Sequence, residues 1–354
     1  MNNKPNEQIR TMPMNRIIPS GLDVCDYEVL MKAYENGGNF AEICEQLGDQ
    51  ARLKADKAVE EGHLLTARSF YLRATAVYRV GQYTIIPDNE AKIRMYRKLI
   101  DSYTEAAKGF DPPIQKVEIP YGDYTMVGWL RLPKDADNNC PLIISIGGAD
   151  GWREEHHNHT EFYVERGMAV LMIDGPGQGE TRLFNKNYMP LDVEKALDAV
   201  VEYMYNDDRV GINIGMVGWS FGGYLVARTA AYSKKLKAVA FSGGSYNPKE
   251  ILIFLPNFTH VFKALTGKND EDVFKMLDKM NMKDRCENIT APLLIIHGKP
   301  DPIFSVEGVQ RIHDEASSTD KTIKIWEDGN HCVSNHYLEV LTTISDWFAD
   351  RLKS

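Results

Sequence analysis

The chain has 354 residues, a formal net charge of −9, and 43% hydrophobic and 26% charged residues. This composition is that of a folded globular protein, and the length suffices for one large domain with a smaller one attached. The negative charge argues against nucleic acid or an anionic membrane as the main partner, and no apolar run approaches the roughly 18 residues of a membrane span.

The start of the chain is polar and has no apolar signal-peptide core, which predicts that the protein stays in the cytoplasm. Its five cysteines are scattered and form no Cys-x-x-Cys pair. An odd number of isolated cysteines fits reduced thiols in that compartment.

Residues 1–112 are predicted to form a helical domain, with helical spacing of apolar residues over 40–61, 64–80 and 89–107. We expect this domain to act as a cap, because a site at the ends of strands is otherwise open to water. Its tyrosines either line a pocket for an aromatic substrate or fill the packing between helices. Tyr96 is our candidate for substrate contact. The tyrosines in question are Tyr71, Tyr78, Tyr83, Tyr96 and Tyr103.

The pattern changes after the proline pair at residues 112 and 113. Residues 115–119 and 124–132 alternate as strands around a turn at 121–123. Strands and helices then alternate to the end of the chain. Residues 113–354 are therefore predicted to form an α/β domain, a mostly parallel sheet with helices on both faces.

A glycine-rich loop follows the apolar strand predicted at residues 140–146. It reads Gly-Gly-Ala-Asp-Gly over residues 147–151. Such small residues let backbone N–H groups approach a developing oxyanion, and the N–H of Ala149 is our candidate donor. Its neighbours Gly148 and Asp150 are candidates for contact with the substrate.

Two further motifs point away from a metal or a cofactor. Residues 156–159 read His-His-Asn-His, but they lie on a polar helix start, which favours a solvated face over a metal site. Residues 175–180 read Gly-Pro-Gly-Gln-Gly-Glu, which lacks the last glycine of the dinucleotide fingerprint. We expect Glu180 to hold this turn by hydrogen bonds, and we predict neither metal nor cofactor.

The nucleophile is predicted at Ser220, the centre of a Gly-x-Ser-x-Gly pattern at residues 218–222. An apolar strand precedes the pattern and a helix of small residues follows it. A serine at the tip of this tight turn requires neighbours without bulk, which explains the two glycines. The N–H of Phe221 is the second candidate oxyanion donor, and Trp219 is a candidate for substrate contact.

A serine hydroxyl needs a base, and the base needs a group that orients it. Asp301 follows the apolar strand predicted at residues 292–298, and His331 follows the strand predicted at 322–326. The order serine, acid, histidine is the one used by α/β-hydrolases. We therefore predict a triad of Ser220, Asp301 and His331.

Two other histidines fit the base less well. His336 lies one turn beyond His331, where a helix should have begun. His297 lies inside a predicted strand, which favours a structural role. Between the nucleophile and the acid, residues 247–289 contain short apolar elements that we interpret as a small lid insertion.

Five segments of the chain, together with its helical N-terminal part, are similar to segments of a known protein family. They resemble the α/β-hydrolase superfamily, and more narrowly the branch of 2,6-dihydroxypseudooxynicotine hydrolase and FrsA-like hydrolases. The resemblance implies an α/β-hydrolase fold with an eight-stranded sheet. The segments are residues 147–150, 174–180, 218–223, 297–301 and 329–331.

The resemblance also implies a function. This branch includes hydrolases that cut carbon–carbon bonds in aromatic or polyketide-like ketones, so we expect a small-molecule substrate of that class. A carboxylesterase or peptidase is the first alternative. A regulatory binding protein is the second, which the complete triad disfavours. The sequence leaves open whether the protein is a homodimer.

An extra carboxylate assists proton transfer in the resembled carbon–carbon hydrolases. Glu250 has a similar position in this sequence, just beyond a predicted strand. Cleavage of a carbon–carbon bond leaves a carbanion or enol that needs a proton donor, so Glu250 is our candidate auxiliary acid. A surface glutamate is the alternative reading of Glu250, and Glu180 is a rival for the acid.

Overall fold

A computed structural model describes residues 12–86 and 88–353, apart from the side chains of residues 254 and 257. The chain divides into two compact units, Met1–Gln115 and Lys116–Ser354. The division falls close to the domain boundary that the sequence predicts at residues 112 and 113.

The first unit is helical in its described part. Asparagine or aspartate residues cap three of its helices, and Asn39 and Asn89 each accept a hydrogen bond from a first-turn N–H. The three longest helices lie where the sequence predicts them, whereas the first two were not predicted. The helices are α1 Met14–Ile17, α2 Val24–Glu35, α3 Phe40–Glu60, α4 Leu64–Tyr83 and α5 Glu90–Lys108.

Tyrosines contribute to the packing inside this unit. The Tyr71 hydroxyl donates to Asp56 at 2.6 Å, and the Tyr78 hydroxyl donates to Asp49 at 2.5 Å. Gly48 leaves room for Tyr78, because an added Cβ would lie 2.4 Å from a carbon of the tyrosine ring. For Tyr71 and Tyr78, the structure favours the packing alternative.

The second unit contains one eight-stranded sheet of order β1-β2-β4-β3-β5-β6-β7-β8. Strand β2 is antiparallel to β4, and the pairs from β4 through β3 to β8 are parallel. This confirms the predicted α/β-hydrolase fold. The strands are β1 Gln115–Tyr121, β2 Tyr124–Arg131, β3 Leu142–Ile146, β4 Ala169–Asp174, β5 Ile214–Trp219, β6 Leu236–Ser242, β7 Leu293–Gly298 and β8 Lys321–Trp326.

Helices follow the strands along the chain of this unit. The core strands β3, β4 and β7 are buried along their whole length, as strands covered on both faces must be. The helices are α6 His159–Val164, α7 Gly179–Leu183, α8 Val193–Tyr205, α9 Phe221–Tyr232, α10 Ile251–Phe254, α11 Thr259–Thr266, α12 Asp270–Lys279, α13 Val306–Glu315 and α14 Tyr337–Leu352.

Strand register brings the loops of interest together at one edge of the sheet. Ile146 at the end of β3 pairs with Gly218 of β5, and Trp219 pairs with Ser242 at the end of β6. The loops that follow these parallel strands therefore leave the same edge, the usual place for a site in such a sheet.

The segment between β6 and β7 is a helical insertion that includes α10, α11 and α12. Its apolar residues join the core of the second unit. Phe262 packs edge-on against Phe221, with ring centroids 5.5 Å apart. The insertion is thus anchored on the residue that follows Ser220. Among the described helices, none is both long and apolar enough to span a membrane.

Candidate active site

Ser220 occupies a sharp turn between β5 and α9. Its backbone angles are φ 59° and ψ −126°, a combination that costs energy for a residue with a side chain. The flanking glycines allow the turn: a Cβ on Gly218 would lie 2.2 Å from the carbonyl oxygen of Gly222, and one on Gly222 would lie 2.6 Å from that of Gly147. The turn presents the serine at the carboxyl edge of the sheet.

The structure brings Ser220, His331 and Asp301 into one hydrogen-bonded chain. The Ser220 hydroxyl lies 2.7 Å from Nε2 of His331, and Nδ1 of His331 lies 2.8 Å from Oδ2 of Asp301. An ionised carboxylate only accepts hydrogen bonds, so Nδ1 carries the proton. In the neutral imidazole, Nε2 then holds a lone pair that can accept the serine proton.

The Asp301 carboxylate is fully buried and held by its own loop. Its Oδ1 accepts hydrogen bonds from the N–H groups of Ile303 at 2.8 Å and Phe304 at 3.3 Å. Burial raises the pKa of Asp301, but the charge and hydrogen bond of His331 outweigh burial and lower it below its usual value. Asp301 is therefore a charged acceptor at neutral pH.

The pKa of His331 shifts in the opposite direction. Burial lowers this pKa, but the neighbouring Cys332 and the Asp301 carboxylate outweigh burial and raise it well above its usual value. The arrangement therefore favours the imidazolium form, which is the form that appears after a base takes a proton from serine.

His297 lies behind the acid and is fully buried in β7. Its Nε2 donates to the carbonyl oxygen of Phe304 at 3.1 Å and lies 3.9 Å from Oδ2 of Asp301. Burial lowers the pKa of His297 below its usual value. A neutral His297 thus supports the loop of Asp301, in keeping with the structural role expected from the sequence.

Of the two predicted oxyanion donors, Phe221 follows the nucleophile directly in the chain, and the loop of Ala149 lies beside the nucleophile in space. Gly148 lies so close to Ser220 that an added Cβ would be 3.1 Å from the serine Cβ. Within the described chain, the N–H groups of Ala149 and Phe221 make no hydrogen bond. Two N–H groups of this kind are available to a negatively charged oxygen, although their catalytic use stays a prediction.

Trp219 packs against histidines on the side of the sheet that carries α6 and α14. Its ring centroid lies 4.7 Å from that of His159 and 6.3 Å from that of His156.

The residues at 156–159 are not a solvated face as predicted: His156 is 3% exposed, and its Nδ1 lies 2.9 Å from the Ser145 hydroxyl. The sequence did not predict this, because a run of polar residues usually indicates an exposed surface. In the structure the His156 and His159 rings stack on each other and are buried.

Glu250, the candidate auxiliary acid, has hydrogen-bond partners on both carboxylate oxygens. Its Oε2 accepts hydrogen bonds from the N–H and hydroxyl of Ser305, at 3.0 and 2.7 Å. Its Oε1 accepts one from the Ser245 hydroxyl at 3.0 Å. Oε2 is thus engaged at the start of α13, which Ser305 caps, and Oε1 is engaged by the loop after β6.

Glu180 is part of a buried ion cluster centred on Arg153, which is fully buried. Arg153 donates to Glu180 and Glu154, each at 2.5 Å, and lies 3.5 Å from Asp174. Burial raises the pKa of Asp174 to about 7, although Arg153 acts to lower it. Glu180 also accepts from Lys116 at 2.6 Å, so it ties its turn to β1, a role the sequence predicted only in outline.

The remaining candidates for substrate contact stay predictions. Tyr96 is fully buried on α5 in the first unit, and Asp150 is partly buried in the loop after β3. Over the residues that the structure describes, no three histidine, cysteine, aspartate or glutamate side chains form a group able to hold a metal ion.

Comparison with known proteins identifies the family. The family described as "Esterase FrsA-like" matches residues 13–353, nearly the whole chain. This chain belongs to the FrsA-like family. It is therefore an α/β-hydrolase, in agreement with its fold and with the resemblance carried by its motifs.

Similar proteins in this family are named hydrolases. The chain is 25% identical to the 2,6-dihydropseudooxynicotine hydrolase of Paenarthrobacter nicotinovorans over 311 residues, 86% of this chain and 83% of the relative. It is 33% identical to the alpha/beta hydrolase gkaG of Penicillium citrinum over 210 residues, 55% of this chain. That match spans about half of the fungal protein, 48% of its length.

A solved structure shares the fold over almost the full length. The crystal structure of 2,6-dihydroxy-pseudo-oxynicotine hydrolase superposes with a TM-score of 0.85, and the match covers 96% of each chain at 23% identity. At this level of identity the likeness concerns the fold alone.

Proposed function

We propose that this FrsA-like protein is a serine-dependent hydrolase that cleaves a carbon–carbon bond in an acyl-aromatic, β-diketone or polyketide-like substrate. The observation that carries the proposal is the hydrogen-bonded chain from Ser220 through His331 to Asp301. No other group in the described site combines a nucleophile, a base and an orienting carboxylate in contact.

The first half of the reaction makes an acyl-enzyme. The Ser220 oxygen attacks the substrate carbonyl carbon while its proton passes to Nε2 of His331, and Asp301 stabilises the imidazolium. The carbonyl oxygen becomes negatively charged. We assign its stabilisation to the N–H groups of Ala149 and Phe221, which have no other partner in the described chain.

Collapse of this intermediate restores the carbonyl and breaks the bond to the leaving group. In a retro-Claisen cleavage the electron pair leaves on carbon as an enolate, and His331 returns its proton to that carbon. Water, deprotonated by His331, then attacks the acyl-enzyme and frees Ser220 with the acid product. The proton transfers of this reaction balance without a further proton donor. This agrees with the hydrogen bonds that Glu250 accepts from Ser305 at the start of α13.

Two observations support carbon–carbon cleavage over simple ester hydrolysis. The relative that matches over 86% of this chain is named 2,6-dihydropseudooxynicotine hydrolase. The motif resemblance described above points to the same branch. A carboxylesterase is the second candidate, because the matching family carries the word esterase in its description.

The test compares two substrates, a short p-nitrophenyl ester and an aryl β-diketone. We expect diketone cleavage with slower ester turnover, and Ser220→Ala should lower both rates by about 10⁴-fold or more, because the nucleophile is lost. Product analysis by mass spectrometry checks that a carbon–carbon bond is broken.

Other results would change the conclusion. Fast ester turnover with an inert diketone would reassign the protein as a carboxylesterase. Diketone cleavage that survives Ser220→Ala would show that the serine is not the nucleophile, and the triad would then need another explanation.

A further inference from the structure

Gln178 connects the turn after β4 to the loop after β3. Its side chain is buried, with 2% exposure. Nε2 lies 2.8 Å from the carbonyl oxygen of Gly147 and 2.7 Å from that of Gly148, and Oε1 accepts a hydrogen bond from the N–H of Gly175 at 2.9 Å. One side chain therefore engages the first two glycines of the loop.

These partners fix which end of the amide faces the loop. Two carbonyl oxygens require donors, and the N–H of Gly175 requires an acceptor, so only one orientation satisfies all three. Both N–H bonds of the amide are then used, and its oxygen is used once. A buried amide so satisfied has a single orientation, because turning it would put oxygen against two carbonyl oxygens.

The hydrogen bond to Gly148 also sets the direction of the N–H of Ala149. The carbonyl of Gly148 and the N–H of Ala149 belong to the same peptide plane. In the described chain, the one cis peptide bond precedes Pro112, so this plane is trans and its N–H points opposite to its carbonyl. By holding the carbonyl, Gln178 turns the Ala149 N–H to the other side of the loop.

Gly148, with which this peptide plane begins, lies next to the nucleophile. A Cβ on Gly148 would be 3.4 Å from the Ser220 oxygen. Ala149 is 3% exposed, and its N–H makes no hydrogen bond within the described residues. A buried donor without a partner is unfavourable unless a ligand supplies the acceptor, and the oxyanion is such an acceptor.

Resting on the serine-hydrolase function proposed above, we propose that Gln178 is a positioning residue for the oxyanion hole. It does not touch the substrate. It fixes the peptide plane between Gly148 and Ala149, so that the Ala149 N–H is already aligned when negative charge develops. Pre-alignment of this kind is what makes an oxyanion donor effective, because no reorganisation is needed during the reaction.

The test measures how fast a fluorophosphonate probe labels Ser220. In that reaction the Ser220 oxygen bonds to phosphorus, fluoride leaves, and His331 takes the serine proton, while the phosphoryl oxygen gains negative charge in the oxyanion hole. Gln178→Met keeps the length of the side chain and removes its hydrogen bonds. We expect labelling about 10 to 100 times slower, somewhat less than the loss of a whole donor.

A second variant and a control sharpen the result. Gln178→Glu should react more slowly than Gln178→Met, because a carboxylate oxygen would face the two carbonyl oxygens. Gln310→Met removes a hydrogen bond to Asp314 on α13 and should label at the wild-type rate.

With the β-diketone, Gln178→Met should lower kcat while KM stays within about threefold, since the aligned N–H acts on the transition state.

Three outcomes would overturn the assignment. The first is labelling of Gln178→Met within about twofold of wild type. The second is a rate loss that only follows a smaller folded fraction, as measured by circular dichroism. The third is a rise in KM at unchanged kcat. A wild-type protein that is not labelled at all would instead refute the serine-hydrolase proposal, and this inference with it.

Discussion

At the scale of single residues, the site depends on one strained backbone conformation and two altered pKa values. Ser220 is held at a positive φ, the pKa of Asp301 is lowered, and that of His331 is raised. The sequence proposes the same three residues, because one lies in a predicted tight turn and two follow predicted strands. The distances were not predictable, since residues 220, 301 and 331 meet only after the sheet has formed.

The pH dependence follows from His331. As a base it must be neutral, and its pKa is raised, so kcat/KM should increase with pH through a midpoint above the usual value of about 6.5. The charged His331 also stabilises the fold below that usual value, and this contribution is lost as pH rises through the raised pKa. A pH profile of kcat/KM checks the midpoint.

Asp301→Asn provides the matched variant for this profile. Loss of the carboxylate charge should move the midpoint to lower pH and reduce kcat by as much as about 10⁴-fold, because the imidazole is no longer oriented and stabilised. An unchanged midpoint in this variant would mean that Asp301 does not set the pKa of His331.

At the scale of elements, the loops after β3 and β4 are linked by buried polar contacts. Arg153 joins the short helix after β3 to Asp174 at the end of β4 and to Glu180 on α7. Gln178 joins the same two regions. The sequence indicated the turn around Glu180, but it did not reveal Arg153, because a charged residue in a polar stretch is usually exposed.

Arg153→Met should be strongly destabilising. The change leaves Glu154 and Asp174 buried without their cation and Glu180 with Lys116 alone. Loss of one partner of a buried ion pair costs about 3–5 kcal/mol. Urea denaturation measures the free energy of unfolding. Lys275→Met is the control, since its exposed pair with Glu271 contributes under about 1 kcal/mol. Equal losses in the two variants would argue against a stabilising cluster.

At the scale of the whole molecule, a helical unit precedes the hydrolase unit. We retain the proposal that residues 1–112 act as a cap and that the insertion at 247–289 acts as a lid. The anchoring of Phe262 on Phe221 supports the lid proposal, because it connects the insertion to the residue beside the nucleophile. Tyr71 and Tyr78 are engaged within the helical unit. Tyr96 is the tyrosine that the sequence proposes for substrate contact, so it is the one to test.

Tyr96→Phe tests the cap. If its hydroxyl contacts the substrate, KM for the aryl β-diketone should rise about five- to tenfold, the effect of one lost hydrogen bond, while fluorophosphonate labelling of Ser220 stays unchanged. Tyr78→Phe is the control, because it loses a bond to Asp49 inside the helical unit and should leave KM unaltered. Equal KM values in both variants would assign Tyr96 to packing.

The sequence by itself determined the fold class, the chain order of the candidate triad and the glycines of the elbow, because strand periodicity and turn chemistry are local properties of the chain. It also placed three helices of the first unit, but not the helix Val24–Glu35. The tertiary structure decided the rest. It buried the histidines at 156–159, engaged Glu250 at α13 and directed Gln178 to the loop after β3. Those outcomes depend on which polar groups find partners across the sheet, and such partners are distant in the sequence.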